Sequence, residues 1–192
     1  LRQPLEEREV TVSRVEASVT YPANFQLVAA MNPCPCGHFP DRSRCRCTDG
    51  QITRYLQKVS GPMLDRIDIC VEASPITYGD IRSSGNNESS REIRARVEQA
   101  RKIQRERFAG ENIRCNGEMS GRHIRKFCWL GREEEKFMEE IFKKLALSAR
   151  MHDRILKVAR TTADLAEEEK IRLADLCEAV SYVKSRDKFW GN

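Results

Sequence analysis

Phe25–Cys47, FQLVAAMNPCPCGHFPDRSRCRC, is the stretch that decides how this chain reads. Its first seven residues, Phe25-Gln26-Leu27-Val28-Ala29-Ala30-Met31, are an almost unbroken apolar run, which predicts a central β-strand covered on both faces. The run stops at Asn32-Pro33. Pro33 has no N–H for a ladder and biases Asn32 to an extended conformation. A polar side chain therefore falls at the tip of a buried strand, the edge at which open α/β sheets bind ligands. Taken alone, Asn32 also fits an ordinary turn former. Two Cys-x-Cys pairs, Cys34/Cys36 and Cys45/Cys47, follow in the same loop.

Upstream of this stretch, residues 1–8 read as the end of a helix. Val10–Ser13 and Ala17–Tyr21 are β-rich runs that predict a hairpin. Downstream, Ile52–Val59 reads as a short helix, and Ile67–Glu72 as a second core strand alternating apolar and acidic residues. Pro75, Gly79 and the polar run Ser83–Ser90 mark a linker. Beyond it the pattern is helical. Ser89 and Glu92 form a capping box, and Ile93, Val97, Ala100 and Ile103 recur at helical spacing. A short helix near 120–129 follows. Three more apolar stripes run through Phe137–Leu145, Met151–Leu165 and Leu173–Val183, the last including Leu176, Cys177 and Val180, and predict a small bundle. The fold class expected is α/β plus all-α, with residues 1–80 a β-containing piece, 81–90 a linker and 91–187 a helical domain. Two hairpin strands and two core strands leave sheet edges and faces uncovered, so part of the sheet is expected to lie outside these residues.

The 192 residues carry a net charge of +5, with 40% hydrophobic and 33% charged residues. This suits a soluble globular protein with much exposed helix and mildly favours an anionic partner. No apolar run approaches the ~20 residues of a membrane span, and no secretory leader is visible. The expected location is cytoplasmic. The opening Leu1-Arg2-Gln3-Pro4, without Met, reads as the start of an excised piece. Of eight Cys, Cys70, Cys128 and Cys177 fall in apolar patterns and read as core thiols, and Cys115 lies in a polar loop.

Four features carry chemistry. Cys34, Cys36, Cys45 and Cys47 place four thiols within fourteen residues, enough for an all-thiolate Zn²⁺ site, although C-x-C is a tighter bite than the usual C-x₂₋₄-C. Four free thiols is the alternative, and His38 is a substitute ligand. In Ser60-Gly61-Pro62-Met63-Leu64-Asp65-Arg66-Ile67-Asp68, Arg66 reads either as half of a surface ion pair or as an arginine finger stabilising a phosphoryl group in a neighbouring subunit, with Asp65 holding it in place. In Leu147-Ser148-Ala149-Arg150, Ser148 reads as an N-cap and Arg150 as a cation in the first helical turn. A cation there opposes the helix dipole and hints at a bound anion. Finally, Arg42, Arg44, Arg46, Arg54 and Lys58 surround the Cys loop, and Arg91–Arg107 holds seven basic residues against Glu92, Glu98 and Glu106. These read as a solvated face or as a salt-sensitive contact to a nucleic-acid backbone.

The run LRQPLE…VTVSR…F…LVAAMNPCPCG…CRC…RYLQKVSGPMLDRIDI…LSAR…RILKVARTTADLA resembles the magnesium-chelatase-like AAA+ ATPases of the ComM/YifB type over nearly the whole chain. The resemblance implies a partial AAA+ core followed by a helical lid, from the C-terminal portion of a longer ATPase. It implies that the hairpin precedes sensor 1, that Asn32 stands at sensor 1, Arg66 at the arginine finger and Arg150 at sensor 2. It further implies ATP and Mg²⁺ as ligands of the full protein, neighbouring subunits in a hexameric ring, and DNA as a partner, since this branch is associated with branch migration in natural transformation. Chelatase relatives instead act on a porphyrin-inserting partner. The sequence departs from the family pattern in lacking any G-x-x-x-x-G-K-[ST] loop and any apolar run ending in an acidic pair. The isolated chain is therefore expected to lack ATPase activity. Two further readings stay open: a chelatase-type motor acting on a protein, and a non-enzymatic nucleic-acid-binding zinc module.

Overall fold

The computed structural model describes residues 2–73, 76, 78–82 and 88–190. Leu1–Asp68 with Arg186–Asn192 form one compact unit, and Ile69–Ser185 a second. No helix among the described residues is long and apolar enough to cross a membrane.

The first unit opens with helix α1 (Arg2–Glu7), which ends where Arg8 turns left-handed at φ 60°. An antiparallel hairpin follows, β1 (Glu9–Arg14) and β2 (Ala17–Pro22), paired from Glu9↔Pro22 to Arg14↔Ala17. Strand alternation sorts its side chains. One face carries hydroxyl pairs, Thr11–Thr20 at 3.0 Å and Ser13–Ser18 at 2.9 Å. The other carries Val10, Val12, Val19 and Tyr21, and all but Val10 are exposed. Helix α2 (Asp49–Leu56) and the short turn of helix α3 (Gly61–Leu64) complete the unit.

The hairpin forms as the sequence predicts, but the two expected core strands do not. Phe25–Met31 and Ile67–Glu72 have no strand pairing, and Phe25, Val28, Met31, Ile69 and Val71 are exposed. The reason is lateral. A strand is held by ladder hydrogen bonds to a neighbour, and among the described residues no strand lies beside either run. Apolar content without a ladder leaves an irregular chain.

The second unit is helical: α4 (Tyr78–Arg82), α5 (Ser90–Arg107), a 3₁₀ turn at Asn116–Glu118, α6 (Gly121–Phe127), α7 (Arg132–Lys144), α8 (Ala149–Leu165) and α9 (Leu173–Trp190), the last running on past the unit's end at Ser185. α4 takes in Gly79 and residues 81–82, where a linker is expected; residues 83–87 of that linker, like Pro75, lie outside the described residues. The capping box at α5 is present: Ser89 Oγ accepts from the Glu92 N–H, and Glu92 Oε2 accepts from the Ser89 N–H at 2.7 Å. Helix α8 lies at the centre, with Ile155, Leu156, Ala159 and Ala163 almost inaccessible, and it packs against α5, α6 and the 3₁₀ turn. Leu176, Ala179, Val180 and Val183 form the inward stripe of α9. Two sequence expectations shift here. Cys177, one step off that stripe, is exposed, so it is not a core thiol. Ile93 and Val97 are each 43% exposed, so α5 packs through its C-terminal half, from Ala100 onward.

One polar cluster is buried within this core. Asp164, fully inaccessible, accepts from Arg107 Nη1 at 2.8 Å, Asn116 Nδ2 at 2.7 Å and Arg160 Nε at 3.1 Å. Arg160 also donates to the Glu168 and Glu169 carbonyls just past α8, at 2.6 and 2.8 Å. Buried charge is tolerable only when its partners are all engaged, and here each guanidinium meets the carboxylate and a second acceptor.

Candidate metal centre and sensor residues

The four loop thiols converge. All four Sγ atoms lie within 4.8 Å of one another, with Cys34–Cys36 at 3.4 Å, Cys36–Cys45 at 3.6 Å and Cys34–Cys45 at 3.8 Å. A tetrahedron with Zn–S bonds of about 2.3 Å has S···S edges of about 3.8 Å. The donor set and spacing thus fit a four-coordinate, closed zinc site. Among the described residues no other cluster of His, Cys, Asp or Glu has metal-binding geometry.

Local sequence builds this convergence. After Cys34 the chain turns sharply, the Gly37 N–H donating to the Cys34 carbonyl at 3.0 Å, with Gly37 at φ +82°, a conformation in which a side chain would be strained. The Phe39 N–H points at Cys34 Sγ at 3.5 Å. Asp41 organises the return: its carboxylate accepts from the Ser43 N–H and hydroxyl at 3.0 and 2.6 Å, and its carbonyl accepts from the Cys45 N–H at 2.8 Å. Cys47 then stands immediately before Thr48, the N-cap of α2. Thr48 and Gln51 form a reciprocal capping box at 3.3 and 2.9 Å. Ile52 and Leu56 of α2, with Phe39, Tyr55 and Trp190, pack around the cluster, and the Trp190 indole donates to the Leu56 carbonyl at 3.1 Å. The apolar pattern starts this helix at Ile52; the Thr48-x-x-Gln51 capping box sets its start at Asp49.

The thiols are not equivalent. The His38 backbone N–H holds Cys36 down at about 6. Cys34 is also lowered, because backbone N–H groups, that of Phe39 first, outweigh the effect of burial. Burial raises Cys45, and pushes Cys47 up to about 11. Backbone N–H groups aimed at sulfur favour the thiolate, the form that binds metal. His38 is exposed and is not part of the sulfur cluster.

Asn32 lies at the mouth of this loop rather than at a strand tip. It is exposed, and its side-chain amide rests over Gly37: a Cβ there would sit 3.7 Å from Asn32 Nδ2. Arg66 follows α3. Its guanidinium is drawn back onto the chain, pairing with Glu6 of α1 and donating to the Pro62 carbonyl, and its side chain is 12% exposed. Asp65 is exposed and caps α3, its N–H donating to the Gly61 carbonyl at 2.9 Å. The Glu6 partnership was not legible from the sequence, since sixty residues separate the pair. In the second unit, Ser148 caps α8 as predicted, its Oγ accepting from the Met151 N–H at 3.2 Å, and Arg150 falls in a first turn that contains no acidic residue. Of the seven basic residues on α5, Arg107 turns inward to Asp164, and Arg96 pairs with Glu88 at 2.6 Å.

Comparison with known proteins fixes the lineage. Residues 1–81 match the family described as "Magnesium chelatase, subunit ChlI", and residues 87–183 match "Magnesium chelatase, subunit ChlI C-terminal". The chain is 43% identical over 183 residues to the protein named Competence protein ComM of Haemophilus influenzae. It is 43% and 41% identical over 184 residues to the proteins named YifB of Escherichia coli and Salmonella typhimurium. Each match covers 95% of this chain and 35% of the relative, so the chain spans about a third of the length of these relatives. By the two family matches and these relatives, the chain belongs to the magnesium chelatase ChlI family, as a magnesium-chelatase-like protein of the ComM/YifB type.

Proposed function

We propose that this chain is the nucleotide-sensing portion of a ring-forming AAA+ ATPase that remodels DNA during competence, and that its cysteine loop holds Zn²⁺. The observation that carries the motor reading is Arg150. A guanidinium in the first turn of α8, where helix dipole and orphan N–H groups already favour an anion, has a physical reason to be there if that anion is a nucleotide phosphate. Arg150 would act on the nucleotide of its own subunit, and Arg66 would reach the nucleotide of the neighbour, with Asp65 at the turn that aims it. Engagement would require Arg66 to leave Glu6. Asn32, exposed at the loop mouth, would orient the attacking water or sense the terminal phosphate.

The described residues offer Mg²⁺ no carboxylate cluster, and the sequence has no phosphate-cradling loop. Both would come from the other two-thirds of a relative-length protein, as would strands to pair with Phe25–Met31 and Ile67–Glu72. Zinc, by contrast, fits residues present here. Four thiolates would complete its tetrahedron and leave no open position, so its role would be structural. It would brace the turn at Gly37 and with it the Asn32 amide.

In a relative-length protein carrying this chain, Arg66→Ala is expected to abolish ATP hydrolysis while leaving nucleotide binding intact, and Arg150→Ala to weaken binding. Undiminished hydrolysis by Arg66→Ala would remove the finger assignment. Hydrolysis stimulated by a protein partner but indifferent to DNA would favour the chelatase-type alternative.

A further inference from the structure

We propose that the outer face of the cysteine loop is a DNA-backbone contact, in which Arg44 and Arg46 clasp phosphates with Ser43 and His38 beside them. The inference rests on the DNA-remodelling reading for its choice of polyanion. It goes beyond that reading in locating a contact surface.

A cavity of about 500 Å³ opens on this face, lined by Cys36, His38, Ser43, Arg44 and Arg46. The basic residues around the loop divide into committed and uncommitted groups. Arg42 pairs with Asp49 and lies over the Phe39 ring at 5.0 Å. Lys58 lies 5.7 Å from the Tyr55 ring centre. Arg44 and Arg46 are exposed and form no ion pair among the described residues, although the charge of Arg44 helps hold the Asp41 carboxyl below its usual range, after the hydrogen bonds from Ser43. Asp41 itself is occupied by Ser43. The two guanidinium groups therefore share one concave surface without a carboxylate ligand.

Their backbone is held in advance. Arg46 stands between Cys45 and Cys47, and Arg44 directly before Cys45, while Asp41 pins the same turn through three hydrogen bonds. Two arginines on a pre-ordered turn lose less freedom on binding than arginines on a loose loop, and the guanidinium fork matches phosphate oxygens in pairs. Burial is layered to suit. Cys34 is buried and the other three thiols half-buried, whereas both arginines face solvent. The sulfur atoms thus lie behind the surface and the guanidinium groups on it.

The test is fluorescence anisotropy of the zinc-loaded chain with a fluorescein-labelled 30-nucleotide oligo-dT, titrated between 50 and 200 mM NaCl. The paired substitution Arg44→Ala/Arg46→Ala is expected to weaken binding on the order of tenfold and to lower the salt slope by about 1.4, roughly 0.7 per phosphate contact on a single strand. Arg44→Lys/Arg46→Lys should restore most of the slope. Zinc content, measured in parallel, reports that the fold is kept. If Arg46→Ala lowers it, Arg44→Ala alone, outside the C-x-C pair, should lose about half as much slope. A zinc-replete double variant with wild-type affinity and slope overturns this surface and leaves the DNA reading standing. A wild-type chain that ignores the oligonucleotide at 50 mM NaCl overturns both.

Discussion

The two units of this molecule solve the same problem with different materials. In the second, sixteen buried apolar residues among those described, from Phe108 just past α5 to Val183 of α9, form one continuous cluster, with α8 at its centre. In the first, the buried cluster is Cys34, Ile52 and Leu56, ringed by half-buried aromatic and cysteine side chains. Meanwhile Val12, Val19, Tyr21, Phe25, Val28 and Met31 of that unit stay exposed. A core this small cannot offset the conformational entropy of some seventy residues, which is why small units commonly recruit metals. The thiols sit where the first unit's core should be. The comparison teaches that the cysteine loop is the structural centre of its unit, and not an appendage to it.

Disabling the zinc site proposed for the cysteine loop should break the contrast most sharply. Cys34→Ser is expected to reduce zinc content from about one equivalent to under about a tenth and to expose the first unit to proteolysis, because structural zinc and folding are one equilibrium. Limited digestion with mass spectrometry should show the second unit, Ile69–Ser185, surviving intact. Equal loss of both units, or unchanged zinc, would overturn the assignment. Next in size is Asp164→Ala. It would strand Arg107 and Arg160, whose side chains are 14% and 3% exposed, without their carboxylate. Breaking such a pair costs about 3–5 kcal/mol, which urea unfolding of the second unit should register. A milder probe is Ile155→Val, at a side chain 1% exposed. Loss of one packed methyl group should cost about 0.5–1.5 kcal/mol. The smallest effect belongs to Val19→Ala on the hairpin, 44% exposed. It should fall within about 0.5 kcal/mol, unless that apolar face is covered in a larger assembly, in which case the cost would appear there and not in the isolated chain.

Legibility followed the range of the interaction. The capping box at Ser89 and Glu92 and the N-cap at Ser148 involve neighbours three residues apart, and each could be read from sequence. The hairpin was legible for the same reason, its strands being joined by two residues. Phe25–Met31 was misread because apolar content announces burial but cannot name the neighbour that supplies the ladder. Arg66 shows the same limit for a site residue. Its place in the Leu-Asp-Arg-Ile-Asp run marked it as a candidate, but its engagement with Glu6 depends on two segments sixty residues apart. Cys177 was misplaced by a single helical step of 100°, enough to turn it from the core to solvent.

By itself, then, the sequence determined the helices of the second unit from α5 onward, the hairpin, the caps at Ser89 and Ser148, and the identity of the four thiols, because all of these rest on spacing along the chain. Tertiary structure alone decided that those thiols meet within 4.8 Å of one another, that Asp164 gathers two arginines in a dry interior, and that Arg44 and Arg46 share one open face. Each of these depends on which turns bring distant residues together, and a one-dimensional pattern carries chemistry and period but not that distance.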